Sequence, residues 1–591
     1  MRRTVVWFAL LTACCLAGWL YCASWLFLAI GGLTGQVEDP WGTAWIVYAT
    51  APGLTVWAKI YLAISALLPG AVVVSVLSVA VRFAYVSAVR RKLVRRSGLS
   101  RVEPGVTDNH GHAVWMSDAE ARALFAGPSS AYGGITVGED SRGELLIDAC
   151  DRLGGSGHSQ QIAGAGAFKT SSALVSAITW TGSSVILDPS CEWEPMIANH
   201  MRDEGKRAFA LNLSRPEGAA RWGLNVLDWI DIDDPEASTH VDTVVGWIYG
   251  RTQQRAGPES PNSEVFRGGG KQLVACFLAH LLWSQNDTNP IPSLEVLRVM
   301  LTQPEGMVRG MLAGIHGDTG APSSSLKARQ IAATLMGLVP ETFSGVYFNA
   351  TEATSWLSTE AYAKLVSGDG FKTSDLIGDT PTTVFIQIPL ASMINTPAVC
   401  RTIVGALLNA VIRADGKGRQ RKVLFLLDEA ARLGRMDVLE AARDVGRKYG
   451  IVLHLLWQSV GQIDETWTRD GRKAWFDAMS WTGFSAIQNL DTAKEVSELC
   501  GTMGVMSYSE GDNSGRQSSW QIGRGSRSRG RQVNKHEIKR PIVLPAEVVC
   551  DIPLDEMIVL MRGQKPLRCK RAIWFRRPSI ACHVEANRFA A

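Results

Sequence analysis

The sequence predicts an α/β protein: a parallel sheet with a phosphate-cradling loop, interrupted by an all-helical insertion and preceded by two apolar runs. Three observations predict it. Gln161-Ile-Ala-Gly-Ala-Gly-Ala-Phe-Lys-Thr170 reads as a strand end, a glycine-containing turn and the start of a helix. Arg421-Lys-Val-Leu-Phe-Leu-Leu-Asp-Glu429 is an apolar run ending in two carboxylates. Between them, residues 224–368 carry helical periodicity with no strand of comparable strength.

In chain order, the apolar runs come first. No charged residue occurs from Thr4 to Gln36, nor from Ile60 to Val81, and each run exceeds the ~20 residues that a membrane-crossing helix requires. The first is also longer than the apolar core of a cleaved leader, about 7–15 residues. Arg2 and Arg3 precede it, and Arg82, Arg90, Arg91, Lys92, Arg95 and Arg96 follow the second run. The positive-inside rule then places both termini, and the bulk of the chain, in the cytoplasm behind a multi-pass hairpin anchor. The 11 cysteines form no C-x-x-C pair and no metal-ligand spacing, which excludes a zinc module and a disulfide framework.

The predicted organisation is an anchor over 1–97, a first sheet segment over 98–223, the helical insertion over 224–368, and a second sheet segment with a basic tail over 369–591. Ser117–Phe125 begins with a capping residue and has helical spacing. Gly133–Val137 and Glu144–Asp148 read as short strands leading to the loop, and Ser184–Pro189 as a buried strand ending in Asp188. The sheet resumes at Thr382–Pro389, and Gly450–Leu456 gives another strand closing on Trp457-Gln-Ser459.

The loop residues Gly164, Ala165, Gly166, Ala167, Phe168, Lys169, Thr170 and Ser171 would hold a nucleoside triphosphate. Backbone N–H groups and a helix N-terminus face the phosphates. Lys169 reaches the β/γ-phosphates and the Thr170 hydroxyl joins the Mg²⁺ shell. The pattern G-x-x-x-x-G-K-[ST] wants glycine where Ala163 and Phe168 stand. Asp428 would complete the Mg²⁺ site and Glu429 would act on the attacking water. Gln458, at a strand end, would sense the γ-phosphate or hold the water, and Arg447 in Gly446-Arg-Lys448 would reach a neighbouring subunit's nucleotide. Taken alone, each also reads plainly, as a polar strand cap and as a helix C-terminal charge. Ser514–Arg540, rich in Gly, Ser and Arg with no apolar period, reads as a mobile basic loop, either a nucleic-acid contact or a solvated segment.

This order of parts resembles the TraG/VirD-type conjugative coupling proteins of type IV secretion. The resemblance rests on Asn109-His-Gly-His-Ala-Val-Trp115, the loop with Phe before its Lys, Leu187-Asp-Pro189, Leu427-Asp-Glu429, Gly446-Arg-Lys448, Gln458-Ser459 and Leu544-Pro-Ala-Glu547. Ser190-Cys191 departs from the Lys-Gly of many relatives. The resemblance implies a RecA-like P-loop ATPase using ATP and Mg²⁺, assembled as a homo-hexamer. Its all-α domain would receive a relaxase–single-stranded DNA complex, or an effector, and pass it to secretion-channel components at the inner membrane. It implies Lys169, Asp428, Glu429, Arg447 and Gln458 as the catalytic set. The alternatives are an FtsK-like DNA translocase and a membrane-bound docking receptor with a degenerate nucleotide site. A transporter is excluded, since neither apolar run has an internal charge to line a path.

Overall fold

The computed structural model describes residues 2–30, 44–67, 69, 103–105, 107–151, 156–213, 223–250, 261–284, 291–414, 422–516 and 527–587. The chain divides into two compact units, Met1–Glu103 and Pro104–Ala591.

In the first unit, Arg2–Ile30 forms one helix and residues 56–67 another. Phe27, Leu28 and Leu62 bury against one another, and the Trp19 and Trp45 indole N–H groups donate to the carbonyls of Ala66 and Leu62. The multi-pass inner-membrane location expected from the two apolar runs and the resemblance is corrected here. Among the described residues, no helix is long and apolar enough to cross a membrane. A membrane crossing requires about 20 apolar residues in one helix. Residues 70–102, with the basic cluster, lie outside the described residues.

The second unit is built on an 11-stranded sheet. Its strands are β1 (Ile135–Glu139), β2 (Leu145–Asp148), β3 (Ser159–Ala163), β4 (Ser184–Leu187), β5 (Arg207–Asn212), β6 (Thr382–Gln387), β7 (Val423–Leu427), β8 (Ile451–Trp457) and β9 (Trp481–Ser485), then β12 (Glu556–Met561) and β13 (Leu567–Lys570). β10 (Thr502–Arg516) and β11 (Arg527–Pro541) pair only as a separate two-stranded sheet. The order is β2-β1-β13-β12-β9-β3-β8-β7-β4-β6-β5. From β9 to β5 all neighbours are parallel, and β12, β13, β1 and β2 add an antiparallel flank. The sheet is therefore mixed, where the sequence suggested a parallel one.

β7 and β8 are buried along their whole length, as a strand covered on both faces must be. β3 is equally buried but polar. Its Gln160 donates to Thr482 Oγ1 (3.1 Å) and accepts from Trp457 Nε1 (3.0 Å), while Ser159 pairs with His454 Nδ1 (2.7 Å). Cross-strand bonds thus satisfy polar groups that burial would otherwise penalise.

Between β5 and β6 the described chain forms seven α-helices, from Ala237–Tyr249 to Glu360–Ser367. The two crossings meet. Leu224 N–H donates to Leu365 O (2.9 Å) and Val226 N–H to Val366 O (3.1 Å). Gly223 and Gly368 touch backbone to backbone: a Cβ on Gly368 would lie 2.5 Å from Gly223 Cα, so only glycine fits. Phe277 and Leu297 of these helices share one continuous core with Phe425 and Leu455 of the sheet.

Candidate functional site

β3 ends at Ala163, and residues 164–168 turn into helix Lys169–Thr179. Gly166 takes a positive φ of 75°, as a tight turn favours. Phe168 also lies in the left-handed region, at φ 54°. Its ring meets Phe575 edge-on (centroids 6.1 Å apart) and lies under the Arg576 guanidinium at 5.1 Å. An L-residue at such an angle carries strain of about 1–2 kcal/mol, and these ring contacts offset it.

β3, β8 and β7 are adjacent and parallel, so their C-terminal ends present the loop, Gln458 and Asp428-Glu429 at one edge. In open α/β sheets that edge binds ligands. Lys169 Nζ sits 3.0 Å from both Asp428 Oδ1 and Glu429 Oε1. The Thr170 hydroxyl donates to Asp428 Oδ2 (3.1 Å), and Gln458 Nε2 donates to Glu429 Oε1 (2.7 Å). Ser459 caps helix Val460–Ala478 by accepting from Gln462 N (3.3 Å), which fixes the strand end carrying Gln458. Ala163 to Ser171, Glu429 and Gln458 line one cavity of about 390 Å³.

Burial alone would lower the Lys169 pKa, but the two adjoining carboxylates hold it above the usual lysine value. Burial pushes Asp428 above the carboxylate range against the pull of Lys169. Two buried carboxylates face one ammonium, and Glu429 Oε2 is buried without a partner. That excess of negative charge, with the Thr170 hydroxyl beside Asp428, suits a hard divalent cation. Glu429 itself takes a positive φ of 56°, and strain of this kind clusters at functional sites.

Arg447 is not brought to this cavity. It is exposed in the 3₁₀ turn Gly446–Tyr449, before the first residue of β8, and thus at the opposite end of that strand from Gln458. At ~3.3 Å per residue, the separation is roughly 20 Å. Asp188, at the end of β4, organises its own turn: it accepts from Ser190 N (3.1 Å), Trp193 N (2.8 Å) and Gln387 Nε2 (3.2 Å).

The sequence reading missed the tail's share of the site. Arg571 is buried, donating to Ser485 Oγ (3.1 Å) and to Ser172 Oγ (2.9 Å) on the loop's helix. Burial lowers its pKa to about 10. With Phe575 and Arg576 it ties the segment after β13 to the turn that precedes this helix. The only sequence signal was the run of basic residues there.

A family model for type IV secretory system conjugative DNA transfer matches residues 117–591. The chain is 37% identical over 504 residues to the conjugal transfer protein TraG of Agrobacterium fabrum, covering 81% of this chain and 72% of that protein. It is 35% identical over 517 residues to the type IV secretion system-coupling protein VirD4 of Bartonella quintana, covering 84% and 77%. The chain belongs to the TraG/VirD4 coupling-protein family. Among solved structures, the conjugative coupling protein TrwB superposes with a TM-score of 0.56 at 14% identity, over 80% of this chain and 97% of that one. A second TrwB structure, in complex with ADP and Mg²⁺, superposes with a TM-score of 0.54 at 15% identity, over 78% and 94%. The TraG/VirD4 family member described here thus shares the α/β fold of TrwB, built on a large mixed sheet.

Proposed function

We propose that this coupling protein is an ATP-hydrolysing motor. It takes a relaxase–single-stranded DNA complex, or an effector, and feeds it to a type IV secretion channel as a six-membered ring. One observation carries the hydrolytic part of this reading. A lysine and a threonine from the loop, the acidic pair after β7 and the glutamine after β8 form one hydrogen-bonded network around a single cavity. A binding-only protein has no need of Gln458 on Glu429. TrwB, the structural relative, has been captured with ADP and Mg²⁺ and with a non-hydrolysable ATP analogue.

In this reading the loop N–H groups and Lys169 bind the phosphates, and Thr170 and Asp428 hold Mg²⁺. When bound, that ion neutralises phosphate charge as the leaving oxygens develop it. Gln458 orients Glu429 through its amide, and Glu429 draws the proton of the attacking water. Lys169 exchanges its carboxylate partners for phosphate oxygens when nucleotide enters. Arg447, remote from its own cavity, acts on the nucleotide of the adjoining subunit in the ring.

The test is ATP binding and turnover by the full chain, with and without DNA, beside Glu429→Gln. Binding retained with turnover reduced about 10²–10⁴-fold fits removal of a general base. Equal turnover in the variant would overturn the assignment of Glu429. Nucleotide binding without turnover in the unmodified hexamer would favour the docking receptor.

A further inference from the structure

The two-stranded ribbon β10–β11 belongs to neither the main sheet nor the nucleotide cavity. Each strand has 15 residues, paired in continuous register from Thr502↔Pro541 to Arg516↔Arg527. Its root is held by the segment before the first helix of the unit: Pro104 bridges Val505, His112 bridges Met503, and Thr107 Oγ1 donates to Glu537 (2.7 Å). Beyond that root the strands pair only with each other among the described residues. From Met506 to Arg516, at ~3.4 Å per residue, the free ribbon runs roughly 35 Å.

Charge is distributed unequally over the ribbon's two faces. Residues directly opposite in an antiparallel pair share a face, and alternate positions along a strand return to it. Arg527, Arg529, Arg531, Lys535 and Lys539 occupy alternate positions of β11, and Arg516 is opposite Arg527, so all six share one face. Three acidic residues share it: Asp512, Glu510 and Glu537, the last held at the root by Thr107. The other face, from Ser528 to Arg540 with its β10 partners, carries Arg540 as its one fixed charge. That residue is paired with Glu547 at 2.7 Å. Charge can also serve merely to keep free strand edges from aggregating. That role does not require a basic excess gathered on one face toward the free end, where Arg516, Arg527, Arg529 and Arg531 outnumber Asp512.

We propose that this face of the ribbon docks on the phosphate backbone of duplex DNA. A two-stranded ribbon fits the major groove, about 12 Å wide. Its free length matches roughly one helical turn, about 34–36 Å. Its two-residue repeat of ~6.8 Å spans two nucleotides at about 3.4 Å per strand. The proposal goes beyond the reading above, whose cargo is single-stranded: it assigns the ribbon a separate contact with duplex DNA.

The experiment compares the full chain with the triple variant Arg527→Ala, Arg529→Ala, Arg531→Ala. Binding to a duplex of arbitrary sequence is followed from 50 to 200 mM salt without nucleotide, and ATP turnover without DNA is followed separately. Each phosphate contact on duplex DNA contributes about 0.9 to the slope of log affinity against log salt, so the variant's slope should be shallower by roughly 2.7. Its affinity should fall alike for unrelated sequences. The triple Arg→Lys variant should keep both, which separates charge from loss of fold. An unchanged slope overturns the proposal. So does a loss confined to single strands, or a loss of binding to poly-glutamate with duplex binding intact; the latter would point to an acidic protein. A shallower slope in a chain that turns over no ATP would keep the ribbon and overturn the motor. Normal turnover with an unchanged slope would do the reverse.

Discussion

Lys169→Ala, the natural way to disable the phosphate loop, should damage the nucleotide-free fold as well. Lys169 lies between Asp428 and Glu429, 3.0 Å from each, and all three side chains are at most 10% exposed. Removing the one cation leaves two like charges in a site with little water. Breaking a buried pair from one side costs about 3–5 kcal/mol, because the partner's charge stays uncompensated. Thermal unfolding without nucleotide should therefore fall by several degrees, since 1 kcal/mol shifts Tm by about 2–4 °C in domains of 150–250 residues and by less in larger ones. The double variant Lys169→Ala/Asp428→Asn should regain much of the loss while still failing to bind ATP, which separates stability from binding. The pH dependence has a definite sign. Burial holds Asp428 above its usual pKa, more so without Lys169, so the folded variant takes up protons before the unfolded chain does. The deficit relative to the unmodified chain should then shrink from pH 7.5 to pH 5. Lys169, raised above its usual 10.5, keeps its stabilising charge throughout that window and loses it only as pH rises through the folded value. A Lys169→Ala melting temperature within 1 °C of the unmodified chain would show that the nucleotide-free molecule does not hold this ion pair.

Other consequences can be measured with the same preparations. Arg447→Ala should cut turnover of the assembled ring, by up to about 10³–10⁵-fold for a full arginine finger. Mixing it with Lys169→Ala copies should restore part of the rate; no recovery would argue against action across a subunit boundary. Phe168→Gly relieves about 1–2 kcal/mol of backbone strain. It also forfeits an aromatic pair of about 0.5–1.5 kcal/mol and a cation–π contact of about 0.5–1 kcal/mol. With the entropy cost of glycine, about 0.5–1 kcal/mol, the net loss should be about 1 kcal/mol by denaturant unfolding. A gain of that size would mean the contacts with Phe575 and Arg576 contribute little. His158 and His454 are held neutral by burial, with pKa values lowered to about 4 and about 3 from 6.5. The unfolded chain binds those protons first, so stability should fall as pH drops below 6.5. At pH 5 the loss should reach about 2 kcal/mol for each histidine, and His454→Gln should flatten the profile.

Much of the candidate cavity was legible because its strands follow simple burial rules. β7 reads as an unbroken apolar run because both faces are covered, and its carboxylates stand out at the end. The loop was legible from Lys169-Thr170 and its glycines despite Ala163 and Phe168. β5 and β9 were not read as strands: Arg207-Ala-Phe-Ala-Leu-Asn212 and Trp481-Thr-Gly-Phe-Ser485 are short and mixed, and only their sheet neighbours make them strands. The ribbon was read as a mobile loop because the periodic signal for a strand is really a signal for a buried face. Arg527-Ser-Arg-Gly-Arg531 and its neighbours carry no apolar period to give one. The contacts of Phe575 and Arg571 with the loop join residues some 400 positions apart, and no local pattern encodes such a meeting.

The place of Gln458 shows how topology converts an ordinary polar residue into a site residue. β8 is inserted between β3 and β7, with Trp457 opposite Ile162 on one side and Leu455 opposite Leu427 on the other. The residue that follows Trp457 must therefore emerge between the phosphate loop and the acidic pair, whatever its identity. A one-residue slip of β8 would turn its side chains to the opposite face. Two buried bonds on the β3 flank oppose that slip: His158 Nδ1 accepts from Leu453 N (3.0 Å), and Trp457 Nε1 donates to Gln160 (3.0 Å). The polar residues of β3, which look misplaced in a buried strand, thus act as register pins. They make the 2.7 Å bond from Gln458 to Glu429 a consequence of the sheet rather than of a flexible side chain's choice.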